Sequence, residues 1–444
     1  MNVKHYFLVL ALISGLTVLK GQVKDSGYSI QLEIQGIGDT TLILAHRYGD
    51  KFFTDDTMRL DSRGTGSFTG KEQLLHGMYQ VVFPDKSFFD FFIEDNQHFT
   101  VKTIAGSFIE NNESVGNRFN QLFFDWHRAS AKYRNTEAMQ IVWDTTLQSA
   151  GESLVGKFLI SLKPFSIPED LLQEKEFKNN QLAQYHYYKK HFFENTDLSD
   201  PNLLRTPVVF NKLNQFFTKV APPQPDSLAY YADLVLDKTS TSPEVFRYTL
   251  QFLLNFYSDP KIMGTDAVYV HLAEKYYLSG KADWIDEDNL KHIANRVKEL
   301  KPLLIGSAAP GLKGLETPEG QPVDPTESSS KWIVLYFWEP DCGHCKTATP
   351  ELHKDYEYLK SLGAEVFAIN TRHDLESWNT FIAEHELSWI NLYSPVNIRG
   401  ILENYQAWST PLLYILDSDK RIIAKDLAVS QVKEYFGYLN KEKN

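Results

Sequence analysis

The two cysteines of this sequence are the residues with the clearest potential for chemistry. Cys342 and Cys345 are separated only by Gly343 and His344, and the 444-residue chain contains no other cysteine. Residues three apart on a helix share one face, so the two thiols can form and break a disulfide with little backbone movement. A chain of this length with a single pair has no structural disulfide framework to which the pair would belong. The spacing therefore predicts a reversible, redox-active dithiol.

The segments on either side of the cysteines predict how the two thiols are held. The apolar, aromatic run from Trp332 to Trp338 is typical of a buried strand. After a short polar turn, a helix is expected to begin at the cysteines and to continue to Leu359. The unpaired N–H groups and the positive dipole end of a helix start favour a thiolate on the first sulfur. We therefore expect Cys342 to be the exposed nucleophile and Cys345, one turn deeper, to be the resolving thiol.

Charged neighbours of the dithiol act in opposite directions. An imidazolium at His344 would stabilise a Cys342 thiolate, whereas the carboxylates of Glu339 and Asp341 would disfavour it. The sequence leaves this balance open. It also leaves open a static disulfide, or a zinc site in which His344 and the more distant His353 would join the two cysteines.

The remainder of the chain predicts a multidomain protein. Residues 25–106 contain short alternating runs that predict an antiparallel, all-β, sandwich-like domain, and residues 107–304 have a helical period that predicts an all-α domain. A single helix is expected from Pro168 towards Phe193. Residues 305–444 alternate strands and helices, which is typical of an α/β domain with a hairpin near its end.

Charge and the N-terminus bear on partners and compartment. A formal net charge of −12 without basic runs disfavours nucleic acid as a partner. Residues 1–21 have the basic start and apolar run of a signal peptide, with an uncleaved anchor as the alternative. The chain is therefore expected in the periplasm or cell envelope, where disulfides form.

The C-terminal third resembles a known family. Residues 305–444 resemble the thioredoxin-fold domains of the TlpA/ResA-like branch of the AhpC/TSA-thioredoxin superfamily. The features that carry the resemblance are the tryptophan-containing strand 332–338, the C-x-x-C motif, Pro350 and the pair Thr410-Pro411. The resemblance implies that the Thr410–Pro411 bond is cis and lies beside the dithiol, and that Thr410 and Trp338 contact substrate. The two preceding segments are more weakly similar to the N-terminal modules of exported thioredoxin-like proteins of Bacteroidetes.

Two positions depart from that family. Thioredoxin carries a buried acid six residues before the first cysteine, where this chain has Tyr336. The ResA-like branch carries a glutamate three residues after the second cysteine, where this chain has Ala348. The usual proton-handling acid is therefore missing from both places, which leaves the direction of exchange open.

The sequence thus predicts an exported thiol:disulfide oxidoreductase with Cys342, Cys345, His344 and Pro411 in its active site and no cofactor. Its expected partners are protein disulfides or dithiols and a membrane or periplasmic electron donor. One alternative is a non-catalytic envelope binding protein that uses the thioredoxin fold as a scaffold. Another is a thiol peroxidase, which would need a Thr or Ser at Glu339 and a Pro at Leu335.

Overall fold

The protein is described by a computed structural model that covers residues 27–441 except Asn135, Pro164 and Pro260. The predicted signal peptide, residues 1–21, lies outside the described residues. The chain divides into two compact units, and the division falls after Leu162. That division lies inside the stretch expected to form the helical domain. The three predicted domain ranges remain a prediction.

The first unit contains two four-stranded sheets and a group of helices. Its strands are β1 (Tyr28–Gln35), β2 (Thr41–Tyr48), β3 (Lys51–Arg59), β4 (Thr65–Gly70), β5 (Gly77–Val82), β6 (Phe88–Ile93), β7 (His98–Ile104) and β8 (Glu113–Val115). Its helices are α1 (Phe108–Asn111), α2 (Arg118–Tyr133), α3 (Glu137–Ala150) and α4 (Leu154–Leu162). The seven runs predicted between residues 28 and 103 all form strands, because alternating apolar side chains such as Ile30 and Leu32 are fully buried.

The sheet order differs from the prediction in one respect. The orders are β4-β1-β7-β8 and β3-β2-β5-β6, and β1 pairs with β7 in parallel. The expectation of a wholly antiparallel domain was therefore wrong for this pair. Alternation along a strand fixes which face is buried but does not encode the direction of the partner strand. Val115, within the stretch 107–304 that was expected to be helical, lies instead in β8, which pairs with β7.

The second unit begins with a helical segment. Its helices are α5 (Glu169–Gln173), α6 (Gln181–His191), α7 (Pro201–Leu204), α8 (Val208–Gln215), α9 (Pro225–Thr239), α10 (Pro243–Phe256), α11 (Asp266–Leu272) and α12 (Glu287–Leu300). The single helix predicted from Pro168 towards Phe193 was wrong, because α5 and α6 are separate. Asn179 has a positive φ of 60°, and the side chain of Asn180 accepts a hydrogen bond from the backbone of Ala183 at the start of α6. Asparagine tolerates the left-handed region and caps helices well, so the chain breaks at this pair.

The second unit ends in an α/β domain. Its strands are β9 (Leu315–Glu316), β10 (Pro322–Val323), β11 (Trp332–Trp338), β12 (Ala364–Asn370), β13 (Ile390–Leu392), β14 (Leu412–Leu416) and β15 (Ile422–Lys425). Its helices are α13 (Gly343–Ser361), α14 (Leu375–Glu384), α15 (Ile398–Tyr405) and α16 (Val429–Lys441). The predicted fold class is confirmed: a β-rich region, a helical region and a C-terminal thioredoxin-like domain.

Strand β11 is the centre of the five-stranded sheet, whose order is β13-β12-β11-β14-β15. It runs parallel to β12 and antiparallel to β14, which forms a hairpin with β15. All seven residues of β11 are buried, and its two faces belong to separate apolar clusters. A strand covered on both faces has no polar face, which explains why its sequence is continuously apolar. The chain leaves this strand at Trp338 and reaches Cys342 four residues later.

A buried ion pair connects the helical segment to the α/β domain within the second unit. Lys425, at the end of β15, pairs with Asp266 at the start of α11, and both side chains are almost fully buried. The Lys425 ammonium also donates to the carbonyl oxygen of Leu303 at 2.8 Å. Removing one partner from such a pair leaves the other charge buried without compensation.

We expect the substitution Lys425→Met to destabilise the protein by about 3 kcal/mol, because it strands the Asp266 carboxylate in the interior. The free energy of unfolding in urea measures this loss. The control is Lys433→Met, which removes an exposed pair with Asp355 and should cost less than about 1 kcal/mol. Equal unfolding midpoints for the two variants would contradict the assignment.

Candidate active site

The sulfur of Cys342 occupies the N-cap of helix α13. Cys342 has an extended backbone, and its sulfur accepts a hydrogen bond from the backbone amide of Cys345 at 3.3 Å. The Cys342 thiol donates to the carbonyl oxygen of Thr410 at 3.2 Å. Both cysteines are free thiols; Cys342 is partly exposed, whereas Cys345 is 0% exposed. One sulfur is thus open to a reaction partner while the other lies behind it.

The two thiols differ in acidity. Burial opposes ionisation of Cys342, but hydrogen bonds from the thiol and the backbone amide of Cys345 outweigh it and hold the pKa of Cys342 below its usual value. Burial, with a smaller contribution from the hydrogen bond to Cys342, raises the pKa of Cys345 to about 12. The exposed sulfur is therefore the one that ionises first.

The segment around Thr410 and Pro411 lies beside the dithiol. The Thr410–Pro411 peptide bond is cis, as predicted. Pro411 and the exposed His344 line the same cavity of about 450 Å³, together with residues 427–430 that follow β15. The structure thus brings four predicted site residues together: the two cysteines, His344 and Pro411.

Trp338 does not lie at the surface of this site. Its side chain is 0% exposed, and the centroid of its ring lies 5.2 Å from the centroid of the Phe381 ring. A side chain enclosed in the core offers no surface to a bound polypeptide, so the structure argues against the predicted substrate contact of Trp338. The other predicted contact, Thr410, is partly exposed and bonded to Cys342.

An arginine that the sequence reasoning missed joins the site. Arg372 follows β12 and pairs with Glu339, whose carboxylate also accepts a hydrogen bond from the hydroxyl of Thr410 at 3.3 Å. Strands β11 and β12 are parallel neighbours, so their carboxyl ends meet at one edge of the sheet. Residues 339 and 372 follow these two strand ends, but the pairing of β11 with β12 is a long-range contact that the sequence pattern did not give.

A neutral phenol stands where thioredoxin has its buried acid. Tyr336 is fully buried, and its hydroxyl lies 2.9 Å from that of Thr349 on α13. Burial, as the main cause, raises the pKa of Tyr336 well above its usual value, so the side chain is not ionised at neutral pH. Ala348, at the position of the glutamate of the ResA-like branch, lines the same cavity as His344.

Among the residues that the structure describes, no group of three or more His, Cys, Asp or Glu side chains is placed so that it could hold a metal ion. His353 lies away from the cysteines in a different contact: its Nε2 accepts a hydrogen bond from the backbone amide of Ser388 at 3.1 Å.

Comparisons with known proteins agree with this geometry. A model of the AhpC/TSA family matches residues 305–425. The C-terminal domain belongs to that family. A model of a domain of unknown function, DUF5106, matches residues 148–301. The thiol-disulfide oxidoreductase ResA of Bacillus cereus is 24% identical over 140 residues, which are 31% of this chain and 78% of that protein.

Two solved structures are similar to parts of this chain. A domain of a possible thiol-disulfide isomerase from Cytophaga hutchinsonii is 30% identical and covers 32% of this chain and 96% of that domain, with a TM-score of 0.30. A thioredoxin-like protein from Bacteroides caccae is 18% identical, and the match covers 62% of this chain and 97% of that protein, with a TM-score of 0.47.

The chain is thus a TlpA/ResA-like protein with a thioredoxin fold, and its enzyme class is thiol-disulfide oxidoreductase. Thiol-disulfide exchange is the general chemistry of the C-terminal AhpC/TSA domain. No helix in residues 27–441, as far as they are described, has the length and apolar character needed to cross a membrane.

The acidity of the AhpC/TSA-domain thiols gives a testable pH dependence. In the reduced protein, alkylation of Cys342 by iodoacetamide should rise with a midpoint below the usual pKa of a thiol, because only the thiolate reacts and the pKa of Cys342 is lowered. Cys345 should stay unmodified over the same range, since it is buried and its pKa is raised to about 12. Peptide mass mapping of samples quenched at each pH measures both rates. A Cys342 midpoint at or above the usual value would contradict the assignment.

Proposed function

We propose that this protein is an exported thiol:disulfide oxidoreductase that exchanges its Cys342/Cys345 pair with disulfides of envelope proteins through a mixed disulfide on Cys342. The observation that carries the proposal is the contrast between the two sulfurs. One is partly exposed and acidified at a helix start, and the other is buried directly behind it. An attacking thiol and a resolving thiol need this difference.

The exchange proceeds in two displacements. The Cys342 thiolate attacks one sulfur of a client disulfide, which forms a mixed disulfide and releases the other client sulfur as a thiolate that takes up a proton. Cys345 then loses its proton and attacks the Cys342 sulfur, which releases the second client thiol. The client gains two electrons and two protons, and the enzyme is left with a Cys342–Cys345 disulfide.

A dithiol donor must reduce that disulfide before the next cycle, and we assign this role to a membrane or periplasmic protein. In the opposite direction the same pair would oxidise client dithiols. The direction depends on the reduction potential of the pair relative to its compartment, and a stabilised Cys342 thiolate makes the potential less negative. His344, exposed beside Cys342, would act in the same sense when protonated.

The proposal of export rests on the N-terminal sequence. Residues 1–21 combine a basic start with an apolar run of signal-peptide length. Disulfides persist in oxidising compartments outside the cytoplasm, so a redox-active dithiol meets disulfide-bonded clients there. Fractionation of cells that produce the full chain tests this point, and recovery in the cytoplasm would contradict it.

Client reduction tests the activity. With dithiothreitol as donor, the wild-type protein should accelerate the reduction of insulin disulfides, and Cys342→Ser should lose at least about 100-fold of that rate, because the nucleophile is gone. The variant Cys345→Ser should instead accumulate a mixed disulfide with insulin that is visible on a non-reducing gel. Activity of Cys342→Ser equal to wild type would overturn the proposal.

We further assign client contact to Trp408 in place of Trp338. Trp408 is 56% exposed and precedes Thr410, the residue whose carbonyl contacts Cys342, by two positions. An exposed indole two residues before the contact of Cys342 offers an apolar surface to an unfolded client segment.

Substitution of Trp408 separates client binding from thiol chemistry. Trp408→Ala should raise the KM for insulin about fivefold, the equivalent of roughly 1 kcal/mol of lost contact, and should leave the alkylation of Cys342 unchanged. Tyr438→Ala removes a similarly exposed aromatic ring, 54% exposed, on α16 and serves as the matched control. A KM that responds equally to both substitutions would refute a specific role for Trp408.

A further inference from the structure

The turn that leads into the dithiol carries two carboxylates, and a single guanidinium is placed against them. Glu339 and Asp341 come directly before Cys342 in the chain. Arg372 comes from the end of β12 and pairs with Glu339. The hydrogen bond and charge of Glu339, and to a smaller degree the charge of Asp341, raise the pKa of Arg372.

Glu339 is close to the reactive sulfur through one intervening residue. Its carboxylate accepts from the hydroxyl of Thr410, and the carbonyl of the same Thr410 accepts from the Cys342 thiol. The Glu339 side chain is only 14% exposed, so water screens its charge poorly. An uncompensated carboxylate here would disfavour a thiolate on Cys342.

Arg372 is held in place by its backbone as well as by its side chain. Its amide donates to the side-chain oxygen of Asn370 at 3.0 Å, and the amide of Thr371 donates to the carbonyl of Trp338 at 3.0 Å. The second bond ties the loop after β12 to the end of β11, immediately before Glu339. The guanidinium is 68% exposed and is charged at all working pH values.

We propose that Arg372 is a positioning residue for thiol exchange: it offsets the negative charge of Glu339 and Asp341, so that Cys342 can ionise beside two carboxylates. The inference rests on the proposed role of Cys342 as the nucleophile. It adds to the balance that the sequence left open a compensating charge from another strand end. In this proposal Glu339 also has a structural role, because its hydrogen bond to the hydroxyl of Thr410 holds that residue beside the Cys342 sulfur.

Other titratable groups surround the site from several elements, and they are distinguishable from Arg372. On α13 they are Cys345, His344, Lys346 and Glu351, and on β11 the group is Tyr336. Glu376 and Glu384 lie on α14, and His385 directly follows that helix. Among these groups, Lys346 shares a cavity with Asp341 and the acids of α14. Arg372 differs from these groups because its side chain pairs directly with the Glu339 carboxylate.

The test is the pH profile of Cys342 alkylation in the reduced, full-length protein. Arg372→Gln should raise the midpoint by about one pH unit, which lowers the alkylation rate about tenfold below the midpoint. Glu339→Gln, which keeps an acceptor for Thr410, should move the midpoint in the opposite direction. The double variant should lie between Arg372→Gln and wild type, because the Glu339 charge is removed together with its compensation while Asp341 remains.

Two further variants separate charge from structure. Arg372→Lys retains the positive charge and should restore most of the wild-type profile. Arg399→Gln breaks an exposed pair with Glu403 on α15 and should leave the profile unchanged. The inference is overturned if Arg372→Gln and Arg372→Lys have the same profile, or if the double variant behaves like Arg372→Gln alone.

The alkylation assay needs no client, so the two proposals fail separately. An unshifted Arg372→Gln profile in a protein that reduces insulin removes the role of Arg372 and leaves the function intact. If the Arg372→Gln profile shifts but the wild-type protein does not reduce insulin, the electrostatic role of Arg372 is supported and the proposed function is removed. The reduction potential gives a second readout, and Arg372→Gln should make it more negative because the thiolate of the reduced form is less stable.

Discussion

The hydrogen bond from the Cys345 amide to the Cys342 sulfur is the interaction on which the site depends. It makes a sulfur the N-cap of α13, where a polar side chain normally satisfies the first free amides of the helix. A thiolate accepts such a bond better than a thiol, so the cap and the acidity of Cys342 are one feature. Strand β11 makes this possible, since its burial on both faces fixes where the chain emerges from the sheet.

Electrostatic compensation around the dithiol is assembled from several parts of the chain. The acids lie on the turn before Cys342, and Arg372 lies at the end of the neighbouring strand. The position of the usual buried acid holds a neutral tyrosine, bonded to Thr349. The buried position beneath the site therefore carries no charge at neutral pH, and the charged groups lie on the turn before Cys342 and at the end of β12.

Local patterns predicted much of this fold, and long-range contacts account for most of what they missed. Alternating residues predicted the first seven strands, and one apolar run followed by the cysteines predicted β11, the dithiol and α13. The break at Asn179 and Asn180 was lost because a helical period continued across it. Trp338 was expected to contact substrate although its strand is covered on both sides. The contact of Arg372 depends on which strand lies next to β11, and alternation does not carry that information.

The buried contact between Lys425 and Asp266 has a consequence for truncation. Lys425 ends β15, the outermost strand of the redox sheet, while its counter-charge belongs to a helix about 160 positions earlier in the chain. A fragment that starts at the β9–β10 hairpin would retain the cation and lose the carboxylate, together with the carbonyl of Leu303. The helices before the hairpin thus act as a scaffold for the last hairpin of the catalytic fold, and excising the C-terminal third is not a neutral operation.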